Sequence, residues 1–378
     1  MKFNNCDILL ENGYSKGTLI FNDKFENITS KIEEDGLDYS DKLIIPGLFD
    51  IHTHGAAGYD FNSAKTLDEM QIILNYYMSH GVTSVLPTLL TDTDEIYFEK
   101  LEMIYELSKT NPVIKGIHIE GPFLSKAYKG AQPESCLQPL KIEKFNEYQK
   151  HAHGLIKYIT ISPELDGCEE FVKELVKQGI VVSLGHSGAT FDEATVAIKA
   201  GAKNFTHVMN AMAPINQHQP SILAAAWYYS DCYNEVICDG IHVHPEMVAL
   251  IHKIKGGNKM IGITDSLMAA GLPDGNYFIG FTPIYVKNHD CRIVGSDVRA
   301  GSTLNAFDGF KNVKRFLNCS DLESSHIWSK NPAELLYLFK NHGSIAINKC
   351  ADFLVLDKNY ILLETYINGK CVYRKESK

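Results

Sequence analysis

The sequence offers no disulfide or zinc-finger framework. Its nine cysteines (Cys6, Cys136, Cys168, Cys232, Cys238, Cys291, Cys319, Cys350 and Cys371) form no C-x-x-C pair, and their number is odd. A reduced, cytoplasmic protein is expected. No uninterrupted apolar run approaches the ~18 residues of a membrane helix, and the opening Met1–Asp7 lacks the apolar stretch of a signal peptide. Cations are in deficit as well: Lys plus Arg number 36 against 46 Asp plus Glu, a net charge of −10. That balance argues against nucleic acid or an anionic membrane as partner, because both need a cationic face. It leaves room for a local basic pocket that takes a small anion. Internal repeats, low-complexity tracts and long charge blocks are absent too.

What is present reads as a large globular chain. Of its 378 residues, 45% are hydrophobic and 22% charged, an ordinary globular balance. A chain of this length buries about three quarters of its unfolded surface without needing disulfides. The middle alternates short β-rich runs with longer segments of helical period. The runs are Leu48–His54, Val82–Thr88, Val113–Glu120, Ile156–Ser162, Ile180–His186, Asn204–His207, Glu235–Asp239 and Met260–Asp265. Between them, Thr66–His80, Asp94–Lys109, Glu169–Gln178 and Asp192–Ala200 carry capping residues at one end, and several stop near Gly. Strands alternating with helices imply parallel pairing through helical crossovers. Eight such units close a (β/α)₈ TIM barrel. The competing doubly wound sheet needs fewer strands and usually a G-x-G-x-x-G after the first, which is missing here.

Both ends are β-rich instead. Gly17–Phe21 and Leu43–Ile45 alternate near the start; Phe353–Asp357 and Thr365–Tyr373, the latter broken by the hairpin turn Asn368-Gly369, do so near the finish. The expected organisation is a small β-sandwich domain from residues 1–45 plus 345–378, around a catalytic barrel of residues 46–344.

Chemistry-bearing residues gather at strand ends. His52 and His54, two apart, share one face of the first strand. Glu120 ends the third, His186 the fifth, His207 the sixth and Asp265 the eighth. In a barrel these ends converge on one mouth, where enzymes of this architecture build their sites. Four imidazoles and two carboxylates there make a transition-metal site. His118 shares a face with Glu120 and is expected to be core.

Pro46–Gly55, with its His52-Thr53-His54, resembles the opening of the amidohydrolase superfamily. Gly116–Phe123, Gly185-His186-Ser187, Thr206–Met212, Asp239–Val243 and Ile263–Ser266 are together similar to the N-acetylglucosamine-6-phosphate deacetylase family, from about residue 43 to the C-terminus. The resemblance implies an enzyme of amino-sugar catabolism that hydrolyses the N-acetyl amide of an N-acetylated amino-sugar phosphate. It implies Glu120, His186 and His207 as principal metal ligands, His52 and His54 as a pair that makes a second ion plausible, and Asp265 as catalytic base. Ala131, Asn210, Ala211 and His242 match positions that contact the sugar phosphate. The cofactor is one or two divalent ions, with Zn, Fe, Co, Ni and Mn indistinguishable from sequence, and a homodimer is the family's usual state.

Two positions depart from the family pattern. His218 stands where an arginine for the phosphate is usual, and Arg299 stands where leucine precedes Ala-Gly-Ser. Arginine is a fixed, always charged fork, whereas histidine is only partly charged at neutral pH. Arg299 is therefore expected to replace the missing cation, with His218 beside the same anion. The alternatives are the same chemistry on N-acetylgalactosamine 6-phosphate or another N-acyl substrate, or a non-catalytic scaffold.

Overall fold

The computed structural model describes residues 1–280 and 282–376. Eight parallel strands form one sheet in sequential order: β1 (Leu48–Thr53), β2 (Val82–Leu90), β3 (Ile117–Glu120), β4 (Ile156–Ile161), β5 (Val181–Leu184), β6 (Asn204–Phe205), β7 (Tyr233–Ile237) and β8 (Met260–Ile263). The first and last strands meet at their carboxyl ends, where Asp265 donates its backbone N–H to the His52 carbonyl at 2.9 Å. Beneath that bond the buried Asp50 carboxylate accepts from the Thr264 hydroxyl at 2.6 Å. This closes the sheet into the expected (β/α)₈ barrel.

Helices α1 (Leu67–Ser79), α2 (Asp94–Ser108), α3 (Ile142–His151), α4 (Cys168–Lys177), α5 (Phe191–Ala200), α6 (Ile222–Tyr228), α7 (Pro245–Lys255) and α8 (Ala306–Leu317) cover the outside. Local chemistry sets several starts. Thr66 and Thr93 accept from the third helical N–H, and Thr190 with Glu193 forms a reciprocal capping box. Apolar side chains fill the barrel interior, among them Phe49, Ile51, Leu86, Ile237 and Ile263, all buried. Outside it, the Trp328 indole lies between β8 and α8 because both offer glycine. A Cβ at Gly262 would stand 2.3 Å from the ring, and one at Gly309 2.2 Å.

Strands from both termini share a second sheet. Its order is Lys370–Arg374, Leu362–Ile367, Phe353–Asp357, Lys42–Pro46, Lys2–Leu10, Gly13–Phe21 and Phe25–Thr29, with Leu37–Asp38 paired beside Lys2–Leu10. Phe25 and Phe353 sit four strand steps apart, about 19 Å in a flat sheet, yet their ring centroids are 5.9 Å apart. The sheet therefore folds over on itself, enclosing Phe3, Phe21, Phe353 and Tyr366 as a sandwich does. Its last hairpin turns at Asn368-Gly369, both at positive φ. A further three-stranded sheet, Gly275–Ile279, Thr282–Lys287 and Asp290–Ile293, follows β8 and was not anticipated from the sequence. Among the described residues no helix is long and apolar enough to cross a membrane.

Candidate active site

Three strands stop before their functional residue. β5, β6 and β8 each end two residues short of His186, His207 and Asp265, which adopt φ of 48°, 27° and 49°. Left-handed backbone is costly for non-glycine residues. It breaks the ladder here and turns each side chain over the barrel mouth, a strain that clusters at functional sites.

The result is a tight cluster. Glu120 Oε1 lies 3.1 Å from His186 Nε2, 3.0 Å from His207 Nε2 and 3.2 Å from His52 Nε2. His54 Nε2 is 3.2 Å from His52 Nε2 and 3.1 Å from Asp265 Oδ1. Ligand atoms of His52, His54 and Asp265 lie within 4.8 Å of one another, as do those of His52, Glu120 and His207.

The other ring edges set which atoms this cluster presents. His186 Nδ1 faces the Tyr128 carbonyl at 3.0 Å, His54 Nδ1 the Thr88 carbonyl at 3.2 Å, and His52 Nδ1 the Glu235 carboxylate at 3.0 Å. Carbonyl and carboxylate oxygens only accept, so in the neutral rings the proton sits on Nδ1 and each Nε2 presents a lone pair. Lone pairs of imidazoles and carboxylates thus converge at about 3 Å, and only a cation relieves them. The donor set fits a divalent ion; where none is bound, protons on the imidazoles do the same work. Burial alone would raise the Glu120 carboxyl, but the facing His52 and His186 hold it well below the usual range. Burial alone would lower His52 and His186, but Glu120 holds both up. Asp265, despite its burial, is held low by His54 and His52.

The cluster forms the floor of a cavity of about 530 Å³. Ala131, Asn210, Ala211, His242 and Arg299 line it, so the structure brings all of these to one place. His242 Nδ1 bonds Asp239 Oδ2 at 2.6 Å, and its buried Nε2 has no protein partner. Arg299 Nε and Nη2 donate to Asp290 at 2.8 and 3.3 Å. His218 is not brought to the cavity: it sits exposed, its backbone N–H bonded to Asn216 Oδ1 at 2.8 Å. His118 is core: buried, bonded to Thr160 and Thr88, and stacked edge-on against His52. Its pKa is held well below the ordinary value, first by burial and then by His52.

Several contributors escaped the sequence reading. Gln132 bonds Glu120 Oε2 at 2.6 Å, while Lys126 and Lys129 stand on the cavity rim. All three lie in the long irregular segment after β3, where no period or motif marks them. Glu235 carried a signal that passed unread, a carboxylate in the middle of an otherwise buried strand.

A (β/α)₈ barrel whose mouth gathers the donors of a divalent-metal site defines the class: a metal-dependent barrel enzyme. The model of the Amidohydrolase family matches residues 43–373. The N-acetylglucosamine-6-phosphate deacetylase of Bacillus subtilis is 33% identical over 88% of this chain and 85% of its own length. That of Mus musculus is 31% identical over 100% and 96%. Among solved structures, the Thermotoga maritima deacetylase superposes with a TM-score of 0.91 at 31% identity, covering 99% of this chain and 100% of that one. A Mycobacterium smegmatis mutant deacetylase in complex with N-acetyl-D-glucosamine-6-phosphate gives 0.92 at 28%, covering 98% and 99%. The chain belongs to the N-acetylglucosamine-6-phosphate deacetylase family of the amidohydrolases.

Proposed function

We propose that this chain hydrolyses the N-acetyl amide of N-acetylglucosamine 6-phosphate to acetate and glucosamine 6-phosphate, a step of amino-sugar catabolism. The observation that carries the reading is the charge layout of one cavity. Among its described lining residues the carboxylates are Glu120 and Asp265, both at the floor, while the cations Lys126, Lys129 and Arg299 stand around them. An N-acetylated sugar phosphate needs both halves, a hydrolytic floor for the amide and a cationic rim for the anion.

Glu120, His186 and His207, with His52 and His54, would hold one or two divalent ions; Zn, Fe, Co, Ni and Mn all suit such donors. Bound there, an ion lowers the pKa of water from 15.7 toward ~7 and polarises the acetyl carbonyl, as an unactivated amide requires. Asp265, kept ionised by its imidazole neighbours, accepts the proton of the attacking water and returns it to the leaving amine nitrogen. His242, fixed by Asp239 through Nδ1, turns Nε2 toward the substrate to orient it and, as the imidazolium, donates from Nε2 to the charge developing on the acetyl oxygen. Ala131, Asn210 and Ala211 wall the sugar. Asp290 engages Nε and one Nη2 hydrogen of Arg299. Three of the five guanidinium N–H groups remain for a phosphate.

The gluco sugar is favoured over the galacto epimer because it names the relatives and occupies the Mycobacterium smegmatis complex. A non-catalytic scaffold would have shed ligands or base, and all six residues are present. Family resemblance supports a homodimer, which sedimentation equilibrium would check, and the nine unpaired cysteines suit a reducing cytoplasm. The substrate is tested by acetate release from N-acetylglucosamine 6-phosphate, its galacto epimer and the unphosphorylated sugar. The reading expects at least hundredfold preference for the first, about 2.7 kcal/mol in the transition state; equal or better turnover of another substrate overturns it.

A further inference from the structure

One fully buried carboxylate has no part in that mechanism. Glu235 lies on β7 beneath the metal cluster, with no exposed surface. Its Oε2 atom takes the His52 Nδ1 hydrogen at 3.0 Å and the backbone N–H of His207 at 3.2 Å. Its Oε1 atom takes the Tyr158 hydroxyl and Asn204 Nδ2, the latter at 3.2 Å. The two imidazole nitrogens lie on opposite edges of the ring. With Nδ1 committed to Glu235, Nε2 of His52 faces Glu120 and His54 as a lone pair. The same oxygen also steadies the left-handed turn at His207, whose φ is 27°. His52 belongs to both groups that could hold an ion and His207 to the second, so this one carboxylate holds the ligand the two groups share.

From this geometry we infer that Glu235 is a positioning residue that fixes the metal-facing tautomer of His52 and couples the two halves of the metal centre. A carboxylate behind a ligating imidazole sets its tautomer and raises its basicity, and its loss commonly costs ten- to hundredfold in metal affinity. Tyr158 and Asn204 both hold the far oxygen, so loss of either one leaves the other to keep the carboxylate on His52. The inference rests on the metal-centre reading above.

The test is Zn²⁺ titration, against a chromophoric competitor, of full-length protein freed of metal by a chelator. Native protein is compared with Glu235→Ala, Glu235→Gln and Tyr158→Phe. Tyr158→Phe disturbs the same buried network without touching a ligand, and Glu235→Gln keeps the side-chain volume if Glu235→Ala fails to fold. The expected result is that the Glu235 variants lose one equivalent of zinc or hold it at least tenfold more weakly, while Tyr158→Phe binds as native. A changed visible spectrum with Co²⁺ in the Glu235 variants would confirm that the ligand field has moved. Unchanged zinc binding in both Glu235 variants overturns the inference and leaves the deacetylase reading intact. Equal losses in Tyr158→Phe also overturn it, since the network at large would then be responsible. No zinc or cobalt binding by native protein overturns both readings.

Discussion

Asp265 Oδ1 stands 3.1 Å from Nε2 of His54, so the residue assigned as base sits at the edge of the metal cluster and opens on the same cavity. Replacing it with asparagine keeps the shape and removes the proton acceptor. Asp265→Asn should lower kcat by about 10²–10⁴-fold, the usual worth of a positioned base. Acetate release under saturating substrate checks this, and a variant above a tenth of native turnover contradicts the assignment.

Arg299 offers a different kind of test, since the role proposed for it concerns the phosphate alone. Hydrogen bonds to charged groups contribute about 1.5–3 kcal/mol each. Arg299→Ala should therefore raise KM for the phosphorylated sugar roughly tenfold or more and leave turnover of the unphosphorylated sugar unchanged. An unaltered KM would sink the idea that Arg299 supplies the anion site. His218→Ala serves as the control: exposed and away from the cavity, it should leave KM unchanged.

Crowding of acceptors at the barrel mouth predicts a linkage between metal and stability. A ligand that binds only the folded state stabilises it by about 2.7 kcal/mol at a hundred times its Kd. Chelator-treated protein should unfold at a lower temperature than protein reloaded with Zn²⁺ or Co²⁺, the gain rising with the logarithm of ion concentration. Identical melting curves would mean that the cluster holds no ion.

The packing of Trp328 makes a prediction about the fold. With ring atoms 2.3 Å from the position of an added Cβ, Gly262→Ala must displace either the indole or β8. Overpacking of this kind costs about 1–3 kcal/mol. A lowered midpoint in chemical denaturation checks it, and Gly275→Ala, also outside the positive-φ region but with its nearest neighbour atom 3.4 Å from the added Cβ, is the uncrowded control.

The sequence made the barrel legible because its two periods do not mix: short apolar runs alternate with capped helical segments, and ligand-type residues fall where the runs end. His52, His54, Glu120, His186, His207 and Asp265 all converge within one cluster. Strand ends were read two residues too long at β5, β6 and β8, since left-handed backbone at His186, His207 and Asp265 breaks the ladder without leaving a glycine to betray it. The sheet spanning Gly275–Ile293 was missed because it interrupts the passage from β8 to α8, where the rhythm of the barrel expects a helix. Lys126, Lys129 and Gln132 reach the site by the folding of a long irregular segment, which no local pattern encodes. His218 was placed by its position in a motif, and motif position says nothing about where an exposed loop carries a side chain.

The central claim, metal-dependent deacetylation of an amino-sugar phosphate, is tested most directly by one reconstitution. Protein stripped of metal is assayed for acetate release from N-acetylglucosamine 6-phosphate while Zn²⁺ or Co²⁺ is added back in stoichiometric steps. The account predicts negligible release from stripped protein and a linear recovery that ends at one or two equivalents. Full activity in stripped protein, or no acetate release at any loading, would contradict it.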